Sequence, residues 1–154
     1  MIVIRTETVI DAPIGLCFEL ARDLRLHTQC VWPHTRERIV QGPETGLVEG
    51  GDTVTFEATH FRVRQRLTSR VTEYEAPIRF VDDMVSGAFR SLRHIHQFET
   101  RGASTVMTDT LELSAPLGPI GWLAERLVLR RYMKAFLMYR NDRLKETAER
   151  WEPK

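Results

Sequence analysis

The chain closes with one long helical pattern, and that pattern restricts what the rest can be. After Ala115-Pro116-Leu117-Gly118-Pro119 the sequence stays helical to about Glu149. Leu123, Leu127, Arg130 and Arg131 begin it. Leu129, Met133, Phe136, Leu137, Arg140 and Leu144 continue it at steps of three and four, a broad apolar stripe with an arginine-rich opposite face. A helix of about 30 residues is about 45 Å long, more than a small domain needs for a helix packed only on helices. It must lie across something extended, and a sheet is the only candidate. The length of 154 residues suits one domain, expected to run over residues 1–154.

The sheet is legible upstream. Met1 to Ile10 alternates and ends at Asp11-Ala12-Pro13, a strand followed by a helix start, with Asp11 expected to cap. Ile14, Cys17, Phe18 and Ala21 form the stripe of a short helix, and a second short helix is expected over about Arg22 to Thr28. Pro33 disfavours helix at Trp32. Strands are expected at Glu37–Gln41, Thr53–His60, Val63–Tyr74, Ile78–Val85, Arg90–Thr100 and Thr105–Leu113, separated by Gly- and Pro-containing turns. Arg64, Arg66 and Arg70 alternate with Gln65, Leu67, Ser69 and Val71, so these arginines should form a solvated face.

Composition narrows the class. Hydrophobic residues at 42% and charged residues at 28% are ordinary for a globular domain and exclude global disorder. A net charge of +1 argues against nucleic acid as the main partner. No run approaches the roughly 20 apolar residues of a membrane span, and the first ten residues lack a signal-peptide core. The expected location is the reducing cytoplasm, because Cys17 and Cys30 are too few for a disulfide framework and lack metal-ligand spacing.

Polar residues on inward faces carry whatever chemistry there is. Leu92, His94, His96 and Phe98 share one face of their strand, so both imidazoles should point inward with the apolar pair. Met107, Asp109 and Leu111 share a face on the next strand, and Phe80, Asp82 and Met84 on the preceding one. A buried carboxylate needs a partner, and the imidazoles are the nearest. The group can serve the wall of the fold, orient a ligand, or carry acid–base chemistry with Asp109 fixing a histidine tautomer. His-x-His with a carboxylate can also ligate zinc, but no metal and no cofactor is assigned. His27, Trp32 and His34 lie where the short helices would close one end of a cavity. His60 and Phe61 fall at a hairpin tip, where exposure is expected.

The whole chain resembles the helix-grip superfamily that contains the birch-pollen allergen, START lipid-transfer domains and polyketide cyclase/dehydrase-like proteins (SRPBCC). The resemblance rests on Ile10-Asp11-Ala12-Pro13 before a helix with Phe18, on Gly51-Asp52-Thr53-Val54-Thr55-Phe56, and on the run from Arg70 to Phe80. Met107-Thr108-Asp109-Thr110 and Pro116-Leu117-Gly118 complete it. It implies an α+β fold, with a curved antiparallel sheet of about six or seven strands wrapped around the C-terminal helix and two short helices after the first strand. It also implies a cavity between sheet and helix that holds a small, largely hydrophobic ligand such as a lipid, a polyketide-like or an aromatic molecule. The side chains expected to line it are Trp32, Phe56, Leu67, Phe80, Asp82, Met84, Leu92, His94, His96, Met107, Asp109, Leu111, Met133 and Leu137. A cyclase, dehydrase or hydrolase-type enzyme using His94, His96 and Asp109 is the alternative. A protein-interaction module, like the toxin-like or respiratory-chain-associated members, is the third reading, with a monomer or homodimer expected.

Overall fold

The computed structural model describes residues 1–152. Strand β1 (Ile2–Ile10) leads into helices α1 (Ile14–Ala21) and α2 (Leu24–Cys30) and a 3-10 turn at Pro33–Thr35. Strands β2 (Arg38–Gln41), β3 (Thr53–His60), β4 (Val63–Glu75), β5 (Arg79–Ser86), β6 (Ser91–Arg101) and β7 (Ser104–Ser114) follow. The chain ends in α3 (Gly118–Ala124), a π-helical turn (Glu125–Leu129) and α4 (Arg130–Glu149), which form one continuous helical run. All seven strands belong to one curved antiparallel sheet in the order β1-β7-β6-β5-β4-β3-β2. A longer loop joins β2 to β3, the meander from β3 to β7 needs only short turns, and β1 lies beside β7. This is the α+β helix-grip arrangement that the sequence predicts.

Local departures have physical reasons. Asp11 does not cap α1: Pro13 occupies the cap position, without a side-chain hydrogen bond. Asp11 lies too far upstream and instead accepts a hydrogen bond from Ser104 Oγ at 2.5 Å. Asp23 caps α2, accepting from the backbone N–H groups of Arg25 and Leu26 at 2.9 and 3.3 Å, which moves that helix start to Leu24. The long helix also differs at its beginning. Its inward face there passes through Gly121, Glu125 and Leu129, while Leu123 and Leu127 are exposed. Gly121 is obligatory because a Cβ there would sit 1.9 Å from the Pro116 carbonyl oxygen.

Two apolar clusters share the concave side of the sheet. One gathers Ile10, Phe18, Phe80, Phe98, Met107 and Leu144, the other Ile2, Ile4, Leu92, Leu111, Leu113 and Leu137. On the convex side Glu57 accepts from Arg38, Arg64 and Arg66, and Glu73 from Arg79 and Arg93. Led by Arg66, the guanidinium bonds hold the Glu57 carboxyl down at about 2. At the edge of the sheet Lys145 Nζ donates to the Val9 carbonyl at 2.6 Å and Arg130 Nη2 to the Val3 carbonyl at 3.3 Å. Phe18 centres the first cluster, its ring 5.5–5.6 Å from those of Tyr74, Phe80 and Phe98 in edge-on geometry. Phe18→Ala is expected to lower unfolding free energy by about 3–5 kcal/mol in a urea titration, with Phe18→Leu costing clearly less.

Candidate functional site

Between the sheet and α4 lies a cavity of about 340 Å³, within the range of small-molecule sites. Its walls are mostly apolar, from Phe56, Leu67, Phe80, Leu92, Leu111, Met133 and Leu137. Phe61, Arg66, Ala88 and Pro116 also line it and are exposed, so the cavity reaches the surface. A second depression of about 420 Å³ between β1 and α4 is lined largely by polar and charged side chains such as Arg5, Glu7, Lys134 and Asp142.

One wall of the cavity is polar, and strand register builds it. Phe80, His96 and Asp109 stand in one cross-strand row, with Thr6 beyond Asp109; Asp82, His94 and Leu111 form the next row. The bonds run diagonally between rows. His94 Nε2 lies 2.8 Å from Asp109 Oδ1, and His96 Nε2 lies 2.9 Å from Asp82 Oδ2. His96 Nδ1 is 3.0 Å from Asp109 Oδ1, an ion-pair distance without the alignment of a hydrogen bond. The two imidazoles lie 3.8 Å apart by centroid, and His96 stacks on Phe80 at 4.1 Å.

From α4, Arg140 Nη1 reaches Asp109 Oδ1 at 3.4 Å and Asn141 Oδ1 at 3.1 Å. Asn141 Nδ2 donates to Asp109 Oδ2 at 2.9 Å and to Thr6 Oγ1 at 3.1 Å. Asp109 is fully buried, so it depends on these donors.

The environment separates the two histidines. Burial, reinforced by the neighbouring His96, pushes His94 down to about 4. His96 is also opposed by burial, but the carboxylates of Asp109 and Asp82 outweigh this and raise it. Burial pushes Asp109 up, yet the bonds from His94 and His96 and the charge of Arg140 prevail and hold it well below the usual carboxylate range. Neutral His94 donates Nε2–H to Asp109, which leaves Nδ1 as its basic nitrogen. Asp82, His94 and His96 also bring ligand-type atoms within 4.8 Å of one another, a donor set that zinc accepts. The Arg140 cation beside this trio opposes a second cation there.

Of the side chains named from sequence, Phe56, Leu67, Phe80, Asp82, Leu92, His94, His96, Leu111, Met133 and Leu137 face the cavity. Four are corrected. Trp32 packs behind the cavity wall, edge-on to Tyr132 and Phe136 at 5.3 and 5.2 Å. Met84 packs at the end of β5 beside Gly87 and the second apolar cluster. Met107 is sealed in the first cluster, and Asp109 lies behind the histidines under Arg140 and Asn141. Alternation gives the inward face of a strand, but helices cover part of that face.

His60 is a further correction. It is half-buried, lines the cavity and places Nδ1 2.7 Å from the Tyr132 hydroxyl, because the β3–β4 hairpin folds over α4. His27 lines the opposite wall with Nε2 2.8 Å from Glu37 Oε1, while His34 stacks on Trp32 outside. Sequence reasoning missed Glu37, Tyr132, Asn141 and the role of Arg140. Arg140 carried a signal: a cation on an apolar stripe between Leu137 and Leu144 requires a buried partner. Cys17 and Cys30 are buried away from the cavity, and burial raises both thiols, which keeps them unreactive.

These environments fix the pH response. Between pH 6.5 and about 4 the unfolded chain protonates His94 while the folded chain does not, so this contribution to stability falls as pH drops through that window. His96 acts oppositely: its contribution is complete below the unfolded value and is lost as pH rises through its raised folded value. NMR titration should show His94 titrating near 4 and His96 above 6.5; two ordinary midpoints would overturn the assignment. Asp109→Asn, which leaves Arg140 without its carboxylate, should lower stability by about 3 kcal/mol in denaturant titration.

Comparisons agree with this architecture. No curated protein sequence matches the chain. A START superfamily protein of Mycobacterium smegmatis superposes with a TM-score of 0.73 at 12% identity, covering 96% of this chain and 97% of that one. A protein from Thermus thermophilus gives 0.69 at 19% identity, with coverages of 96% and 99%. The major latex-like protein 151 of Panax ginseng gives 0.63 at 14%, with coverages of 95% and 96%. At such identities the likeness establishes the fold alone. The sequence model of the family described as polyketide cyclase / dehydrase and lipid transport matches residues 1–149, and the chain belongs to that family.

Proposed function

We propose that the protein binds one small, largely apolar molecule in the sheet–helix cavity and orients it by a polar group set against Asp82, His94 and His96. The observation that carries this reading is an apolar cavity with its hydrogen-bonding groups gathered on one wall, the usual design of a small-molecule site. Asp82 is the member best placed to meet a ligand. Its side chain is 23% exposed and lines the cavity, whereas that of Asp109 is 0% exposed. A hydroxyl or enol that donates to Asp82 fits this arrangement.

A second reading is favoured by one specific feature. His94 faces the cavity, is held neutral, and donates to a buried carboxylate, the arrangement of a general base. It supports proton abstraction from a carbonyl compound during cyclisation or dehydration. Under this reading His94→Gln retains binding and abolishes turnover. Under pure binding no turnover exists to lose.

Native mass spectrometry of the purified protein, with organic extraction, should recover a bound apolar molecule at one per chain. Asp82→Asn should weaken rebinding of the extracted molecule by roughly tenfold, the value of one charge-assisted hydrogen bond, when measured well below the variant's own melting temperature, which the loss of the His96 partner lowers. An empty cavity that also refuses a neutral apolar fluorescent probe such as N-phenyl-1-naphthylamine would overturn the reading.

A further inference from the structure

The segment after β7 carries large apolar side chains that the fold leaves uncovered. Leu117 and Ile120 are 74% and 72% exposed, and Trp122, Leu123, Leu127 and Val128 are exposed beside them. The charges interleaved with them have one sign. Arg126, Arg130, Arg131 and Lys134 are exposed. The sole acidic residue between Leu113 and Asn141 is Glu125, which is buried and accepts from the Ala115 N–H and the Met1 amino group. The chain as a whole is nearly balanced, so this concentration of cations is local.

We propose that this face, from Leu117 to Lys134, docks in the plane of an anionic lipid bilayer. Short helical segments that combine exposed Leu, Ile, Val and Trp with a rim of arginines bind such surfaces by burying the apolar side chains at the headgroup boundary and pairing the cations with lipid phosphates. The Arg126 guanidinium lies 3.9 Å from the Trp122 ring centroid, which joins the aromatic and cationic elements of the patch. A second copy on the same face would bring like charges together. A nucleic acid would leave the aliphatic side chains unmatched. No helix among the described residues is long and apolar enough to cross the bilayer, so the docking is peripheral.

The face adjoins the cavity. Pro116, Leu129, Tyr132 and Met133 belong to the same segment and line it, and the hairpin tip contributes Phe61, whose ring lies 4.4 Å from that of Tyr132. Docking would therefore bring the surface opening of the cavity against the lipid. An apolar molecule could then pass between bilayer and cavity with little exposure to water.

The test is cosedimentation with vesicles of phosphatidylcholine alone and of phosphatidylcholine containing roughly one part in four phosphatidylglycerol. The expected result is binding to the anionic vesicles that weakens with salt, with little binding to the neutral ones. Ile120→Ser with Leu127→Ser, and separately Arg126→Ser with Arg131→Ser, should each lower affinity on the order of tenfold. Circular-dichroism melting should not move, because these side chains are exposed. A blue shift of tryptophan emission on vesicle addition should disappear in Trp122→Phe. Failure of the unaltered protein to bind anionic vesicles would overturn the proposal, as would binding that neither variant pair reduces. Light scattering that shows a stable dimer, made monomeric by Leu127→Ser, would assign the face to a second copy instead. Vesicle binding does not require an occupied cavity, so its failure would leave the ligand-binding reading intact.

Discussion

The carboxylate of Asp109 is the point at which sheet and helix are tied together. It lies at the centre of the fold with no access to solvent, and it is met from β6 by His94 and from α4 by Arg140 and Asn141. Removing a carboxylate from water is costly, and only a full set of donors offsets that cost. The same set of bonds fixes the rotation of α4 about its axis, because Arg140 and Asn141 must both face the sheet at one level. It also fixes the tautomer of His94, and so decides what the cavity wall can offer a ligand.

This level recurs in every element that crosses it. On β1, Thr6 lies between Ile4 and Ile10; on β7, Asp109 lies between Met107 and Leu111. On β6 the histidines separate Leu92 from Phe98, and on α4 Arg140 and Asn141 separate Leu137 from Leu144. The core is thus two apolar lobes divided by a polar belt. With His96 protonated, the belt's charges cancel: two carboxylates, Asp82 and Asp109, against Arg140 and His96. A neutral interior of this kind suits a neutral guest better than an ionic one.

How much of this was legible follows from the kind of regularity involved. Period two on β5, β6 and β7 was enough to place Asp82, His94, His96 and Asp109 on one inward face, and the long helical stripe was enough to require a sheet beneath it. What escaped was whatever depends on two elements at once. Alternation could not tell Met107 and Asp109, covered by helices, from Leu111, which faces open space. Nothing local to His60 showed that Tyr132 would come over it, seventy-two positions away. Leu123 and Leu127 looked like core because they are leucines in a helix. Their true heading depends on where Gly121 and Glu125 dock, and those two residues carry no apolar signal.

The cationic side chains that reach from the long helix to β1 have a further effect. β1 is an edge of the sheet, and its outward carbonyl groups would ordinarily be open to a strand from another molecule. Lys145 and Arg130 occupy two of them, at Val9 and Val3. The opposite edge, β2, has only four residues and is bulged. The protein therefore has one edge guarded by charge and the other too short to serve as a template. A seven-stranded open sheet that carries exposed apolar surface elsewhere is in this way protected from growing by strand addition into fibres.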